Sequence, residues 1–374
     1  MKIKLLKKID RLVGAVIISC LPVAPMRPFQ LPRRILLIRP GGIGDAILLA
    51  SSINAITLSY PDARITILAE QRNCGVFSLI SGVNKTLCYD RPGELIQAVL
   101  GRYDIVIDTE QWYYLSAVIS RLARAPMKIG FDTNKRRRLF THSICYDMSV
   151  YEPCNFAALL KPLGSDCQQK TETVTLALPF QAVSKAHQLL QSTCYDSFVV
   201  IFPGASIEEK RWGAERFSLV AKRLVETGYK VVVVGGREDR SDGDKIAGNG
   251  GLNLAGMTTL AETAAVIART RLVICCDSGV LHIAAGLNIP TVSLFGPSSV
   301  KKWAPQGEKH IVLDHHLPCS PCSKFGTIPP CPIDARCMKK ITPDEVMEAV
   351  RRLLSQPPDE TIVTPPFSEK ELLL

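Results

Sequence analysis

Short apolar runs recur along this chain, and each is followed by a turn rich in Gly, Pro, Asp or Ser and then by apolar residues at helical spacing. The stretch RRILLIRPGGIGDAILLASSINAITLSYPDARITILAE holds one full cycle of strand, glycine turn, helix and second strand. DIVIDTE, from Asp104, and a helical pattern from Trp112 to Arg124 continue it. TETVTLALP, Thr171 to Pro179, reads as a strand leading into a connecting helix over Ala182 to Gln191. A second series opens at SFVVIFPGAS, Ser197 to Ser206. It runs through a helix at Ala214 to Thr227, the strand YKVVVVGG, the helix TLAETAAVIART, the strand RLVICCD, a further helix and TVSLFGP. Alternation of this kind covers parallel strands with helices on both faces. Two such series predict an α/β chain of two doubly wound, Rossmann-like domains facing a central ligand cleft. The expected divisions are an N-terminal segment over 1–32, a first domain over 33–180, a linker over 181–196, a second domain over 197–355 closed by a helix from Pro343 to Leu354, and a mobile tail over 356–374.

With 374 residues, 47% hydrophobic and 21% charged, the chain can bury more than one core. Its net charge of +10 favours an anionic partner. The placement of that charge narrows the choice. Lys2, Lys4, Lys7, Lys8 and Arg11 precede an apolar segment, Leu12 to Val23, that is broken by Pro22 and is shorter than the roughly 20 residues of a spanning helix. The favoured reading is a basic amphipathic segment lying on an anionic membrane surface. The other is a secretory signal, since Ile17 to Cys20 resembles a lipoprotein cleavage box. A second basic cluster, Lys135 to Arg138, offers Arg136 to Arg138 to lipid or to a phosphorylated substrate. Basic residues interleaved with aromatic ones, as a nucleic-acid surface needs, do not occur, so no nucleic-acid partner is expected.

Function is expected where strands end. In a parallel sheet, ligands bind beyond the carboxyl ends of the strands, where the next helix begins with unpaired N–H groups and a partial positive charge. CCDSGVLHIAA sits in such a place. Asp277 or Ser278 can cap the helix, Gly279 allows a phosphate close to the backbone, and His282 falls one turn along the same rim. In PGASIEEKRWGAERF, Lys210 can neutralise a diphosphate as a point charge and Ser206 can add donors. In RPGGIGDAIL, Gly41, Gly42 and Gly44 permit a tight approach, and their spacing is neither a dinucleotide fingerprint nor a P-loop. Asp45, at the helix start, is either a stabilising anion for the helix dipole or a general base.

Taken in order along about residues 33 to 350, RPGGIGDAIL, FPGASIEEKRW, VVGGREDR, LAGMTTLAETAAVIARTRLVICCDSGVLHIAAGLNIPTVSLFGP and KKWAP resemble glycosyltransferase family 9, the ADP-heptose:lipopolysaccharide heptosyltransferases. The family often carries a proline soon after the Gly-Asp helix start, where this chain reads LLASSIN. The resemblance implies a GT-B architecture with the acceptor on the first domain and the nucleotide-sugar, ADP-heptose favoured, on the second. It makes Asp45 the base of an inverting, metal-independent displacement that needs no cofactor. Ser206, Lys210, Asp277, Ser278, Gly279 and His282 become donor-binding residues. Met257 falls where the family lines the nucleotide pocket, and Glu238 where a ribose contact is expected. The expected acceptor is a lipid-linked envelope glycan of the lipopolysaccharide-core type, met at the inner face of the cytoplasmic membrane. A transferase using another nucleotide-sugar, or a binding protein without turnover, are the alternatives.

Thirteen cysteines suit a reducing compartment. Cys319, Cys322, Cys331 and Cys337, spaced C-x2-C-x8-C-x5-C, are expected as reduced structural thiols, with structural zinc as the minority reading.

Overall fold

The computed structural model describes residues 31–164, 176–191, 197–248 and 250–355, with parts of 10–22. The chain forms two compact units, Met1–Glu172 and Thr173–Leu374.

In the first unit the strands β1 (Arg34–Arg39), β2 (Arg64–Ala69), β3 (Val83–Cys88), β4 (Ile105–Asp108), β5 (Met127–Phe131) and β6 (His142–Ile144) form a parallel sheet in the order β3-β2-β1-β4-β5-β6. Its helices are α1 (Ile43–Leu48), α2 (Ala50–Ser59), α3 (Pro92–Leu100), α4 (Tyr114–Leu122) and α5 (Glu152–Ala158). Ile35 to Arg39 are buried without alternation, as expected of a strand covered on both faces.

The second unit begins its described part with α6 (Phe180–Gln191). Strands β7 (Phe198–Phe202), β8 (Lys230–Val233), β9 (Leu252–Asn253), β10 (Leu272–Cys276), β11 (Thr291–Leu294) and β12 (His310–Leu313) then form a parallel sheet in the order β12-β11-β10-β7-β8-β9. Around it lie α7 (Ala214–Glu226), α8 (Arg240–Ala247), α9 (Leu260–Ile267), α10 (Gly279–Gly286) and α11 (Pro343–Leu354). Two of these helices start at full capping boxes, Thr259 with Glu262 and Thr342 with Glu345, which satisfy backbone donors that would otherwise be orphaned.

The helix expected after Thr171 to Pro179 is α6, and it packs on α9 within the second unit. The segment read as a linker therefore contains structure that belongs to a domain. Of the preceding strand, residues 171–175 lie outside the described residues and 176–179 are coil. The tail over 356–374 lies outside the described residues, as do residues 1–9 with most of the basic cluster.

What is described near the N-terminus is attached to the first unit. The Asp10 carboxylate accepts from the N–H groups of Tyr114 (2.8 Å) and Leu115 (2.7 Å) and so caps α4 from outside its own sequence. Ile18 is fully buried among Ala117, Val118, Leu139 and Phe140, while Val13, Val16 and Ile17 are exposed.

The second core is anchored by Trp212, 1% exposed, which donates from its indole nitrogen to the Ile341 carbonyl (2.9 Å) and meets Phe217 edge-on at 4.9 Å. Trp212→Ala removes packing and leaves that carbonyl short of a donor. It is expected to destabilise this unit by about 3–5 kcal/mol, seen as an earlier unfolding transition in urea.

Candidate functional site

Both sheets reverse their strand order once, and at each reversal the two neighbouring strands send their following helices to opposite faces. In the second unit the reversal lies between β7 and β10, which pair in register with Cys275 beside Phe202. The loop after β7 carries Lys210 and the residue after β10 is Asp277. Their side chains meet there: the Lys210 ammonium donates to Asp277 Oδ2 at 2.7 Å. Burial pushes the Asp277 carboxyl up, but the charges of Lys210 and His282 and the hydrogen bond from Lys210 hold it below the usual carboxylate range. Asp277 is thus an ionised partner of Lys210 and not the cap of α10.

Ser278 occupies the N-cap position without making the side-chain capping bond, and its buried hydroxyl has no hydrogen-bond partner among the described residues. The first N–H groups of α10 therefore have no capping side chain. His282 is buried on α10 and interacts with Asp277.

Ser206, Glu238 and Met257 are exposed and lie in the loops that follow β7, β8 and β9. Those loops are in contact. Asp239 lies so close to Gly204 that a Cβ there would stand 2.6 Å from its carboxylate. The Gly256 N–H donates to the Gly235 carbonyl at 2.9 Å. Arg211 ties them further by its ion pair with buried Asp239 (3.2 Å), a pair the sequence reading missed although both residues lie within motifs it quoted.

In the first unit the reversal lies between β1 and β4. The glycine-rich turn after β1 ends in Asp45, half-buried in the first turn of α1. Gly41 has φ +106°, a conformation that side chains rarely adopt, and its N–H donates to Glu70 Oε1 at 3.2 Å. Tyr89 donates to the same oxygen. Asn73, fully buried, donates to the Arg39 carbonyl (3.2 Å) and accepts from the Glu70 N–H (2.9 Å). The loop that carries Asp45 is therefore held from the end of β2, by residues in AEQRN that sequence reading did not single out.

Beneath it lies a buried charged layer. Arg39, 1% exposed, donates to the carbonyls of Pro40 (2.6 Å) and Thr109 (2.9 Å) and faces Glu110 at 3.5 Å. Burial pulls its pKa down, but Asp45, Glu110, Glu152 and Asp108 more than offset this and keep it cationic. Arg136, expected to face lipid, is fully buried and paired with Asp108 at 2.6 Å. That expectation is corrected: an exposed guanidinium there would leave the Asp108 carboxylate buried without its partner. Lys135, Arg137 and Arg138 remain exposed.

The four clustered cysteines are free thiols, and burial raises the pKa of Cys322 and Cys337. Among the described residues no group of three or more His, Cys, Asp and Glu side chains is disposed to hold a metal ion. The segment instead buttresses the loop after β11. The N–H groups of Cys322 (3.0 Å) and Ser323 (2.9 Å) donate to the Pro297 carbonyl, next to buried Ser298.

A family profile described as glycosyltransferase family 9 (heptosyltransferase) matches residues 93–331. The chain belongs to glycosyltransferase family 9. Lipopolysaccharide heptosyltransferase 3 of Escherichia coli K12 is 30% identical over 294 residues, 72% of this chain and 84% of that one. Lipopolysaccharide heptosyltransferase 2 of Salmonella typhimurium is 26% identical over 358 residues, 86% of this chain and 99% of that one. The solved structure of E. coli ADP-heptose lipopolysaccharide heptosyltransferase II matches with a TM-score of 0.71 at 25% identity, covering 86% of this chain and 99% of its own. The protein is a family 9 glycosyltransferase with the two-unit α/β fold of GT-B enzymes.

The Lys210–Asp277 pair gives this glycosyltransferase a pH signature. Because the folded pKa of Asp277 lies below the unfolded value of about 3.9, its contribution to stability is complete above that value and is lost as pH falls through the folded one. Lys210→Met takes away the charge that lowers it. Melting temperature followed from pH 6 to pH 2 is expected to fall less steeply with acid in this variant than in the parent protein.

Proposed function

We propose that this glycosyltransferase moves heptose from ADP-heptose to a lipid-linked acceptor of the lipopolysaccharide-core type, with inversion and without a metal. The observation that carries the reading is the Lys210–Asp277 pair at the strand reversal of the second unit, beside uncapped N–H groups of α10, in a chain whose relatives are named heptosyltransferases. Anions are stabilised at such helix starts, and an ammonium has donors to share between Asp277 and an incoming diphosphate.

In this mechanism Asp45 takes the proton of the acceptor hydroxyl as its oxygen attacks the anomeric carbon. The bond from that carbon to the diphosphate oxygen breaks in the same displacement, so the configuration inverts and ADP departs with the electron pair. Lys210 and the N–H groups of Ser278 and Gly279 stabilise the charge that develops on the leaving oxygen. Ser206, Glu238 and Met257, on adjoining loops, are assigned to the nucleoside part of the donor.

The enzyme would work at the cytoplasmic face of an anionic membrane, met through its N-terminal segment. Two observations support a retained surface segment over a removable signal. Asp10 caps α4 and Ile18 fills a core, so cleavage at Cys20 would strip both from the folded unit.

Purified protein incubated with ADP-heptose and acceptor lipid, and separately with UDP- and GDP-sugars, is expected to release nucleoside diphosphate only from ADP-heptose and only when acceptor is present. Asp45→Asn should lower that turnover by about 10²- to 10⁴-fold, the usual worth of a general base, while still binding ADP. Release from another donor would move the substrate assignment, and full turnover by Asp45→Asn would remove the base.

A further inference from the structure

We propose that Arg39 is the positioning residue for Asp45: its buried guanidinium, fixed across the strand reversal of the first unit, holds the carboxylate in the orientation from which it takes the acceptor proton. The inference rests on Asp45 being the base.

Three observations carry it. Arg39 is fixed and not free to follow a ligand. Its Nε binds the Pro40 carbonyl, one terminal nitrogen binds the Thr109 carbonyl, and the planar group lies 5.5 Å from the centre of the Phe156 ring. The other terminal nitrogen points toward the turn that carries Asp45. A Cβ built on Gly41 would stand 3.1 Å from this nitrogen and 3.9 Å from Asp45 Oδ2, so glycine there leaves open the space that both groups border.

The neighbouring charges are already committed. Asp108 is taken by Arg136 at 2.6 Å. Glu152 accepts from Gln111 (2.6 Å), Tyr146 (3.0 Å) and Asn155 (3.2 Å). Glu110 meets Arg39 only at 3.5 Å and accepts from the Trp112 N–H at 3.0 Å. Among these carboxylates Arg39 keeps only the 3.5 Å contact to Glu110, so its outer nitrogen is lightly engaged on the side where Asp45 Oδ2 lies across Gly41. A fixed fork of donors is suited to orienting a carboxylate, and Lys would supply charge without the planar geometry.

The test is a double-mutant cycle in acceptor-dependent turnover, with Arg39→Met, Arg39→Lys, Asp45→Asn and both combined forms. Arg39→Met is expected to lower kcat by about 100-fold, the scale of a misplaced catalytic group, with KM for ADP-heptose unchanged. Arg39→Lys should recover part of that loss. In the Asp45→Asn background neither Arg39 substitution should cost anything more, because the group it positions is no longer a base. ADP binding and the thermal melt report folding. If Arg39→Met does not fold, the cycle is closed with Arg39→Lys.

Equal losses from Arg39 substitution in both backgrounds, or a loss confined to KM for the donor, would overturn the proposal. Full turnover by Asp45→Asn alone would overturn the base assignment and this inference with it. That outcome is told apart because it needs no change at Arg39.

Discussion

A parallel sheet whose strand order reverses leaves one place above its carboxyl edge that no crossing connection covers, and each of the two units places its charged residues there. Between β7 and β10 the pair is Lys210 with Asp277. Between β1 and β4 it is Arg39 with the carboxylates around it. The hydrophobic strands beneath could not tolerate these groups one residue further in, because an ionised side chain taken from water needs a partner and hydrogen bonds to offset its desolvation. The strand ends supply both, through loop carbonyls, helix N–H groups and opposite charges brought from non-adjacent parts of the chain.

The two sites use charge differently. In the second unit the cation is a half-buried lysine whose partner is an aspartate held in its ionised form, beside a helix start without a capping side chain. That arrangement can admit a further anion, since a flexible ammonium redistributes its donors at little cost. In the first unit the cations are two buried arginines engaged in several directions at once. Such groups define a shape and do not themselves adapt, which suits the role proposed for this loop, to present one carboxylate. The support behind each loop is similar in kind: Glu70 and Asn73 hold the glycine turn, and the cysteine segment holds the Gly296–Ser298 turn.

Much of this was legible before any coordinates. Short continuous apolar runs and period-3.6 patterns separated strands from helices, and α11 runs from Pro343 to Leu354 as its pattern requires. The glycine turn at Gly41 and the DSG turn at Asp277 were recognisable because few residue types suit a strand-to-helix junction near a ligand. Less visible was the burial of Arg136. In the sequence it stands in a run of four basic residues, and nothing local separates the one that turns inward from the three that remain in water. Glu70 and Asn73 were invisible for a related reason, because the backbone groups they satisfy, the Gly41 N–H and the Arg39 carbonyl, lie some 30 residues earlier in the chain.

The sequence by itself determined the order of strands and helices, the two doubly wound units and the residue types at each strand end, since those follow from local periodicity and turn chemistry. Tertiary structure alone decided the pairings: Lys210 with Asp277, Arg39 with Glu110, Arg136 with Asp108, and Asp10 on α4. The physical reason is distance. Periodicity is a property of neighbours along the chain, whereas a buried charge is stabilised by whichever partner the sheet register brings within a few ångströms, and that register is fixed only when the whole core packs.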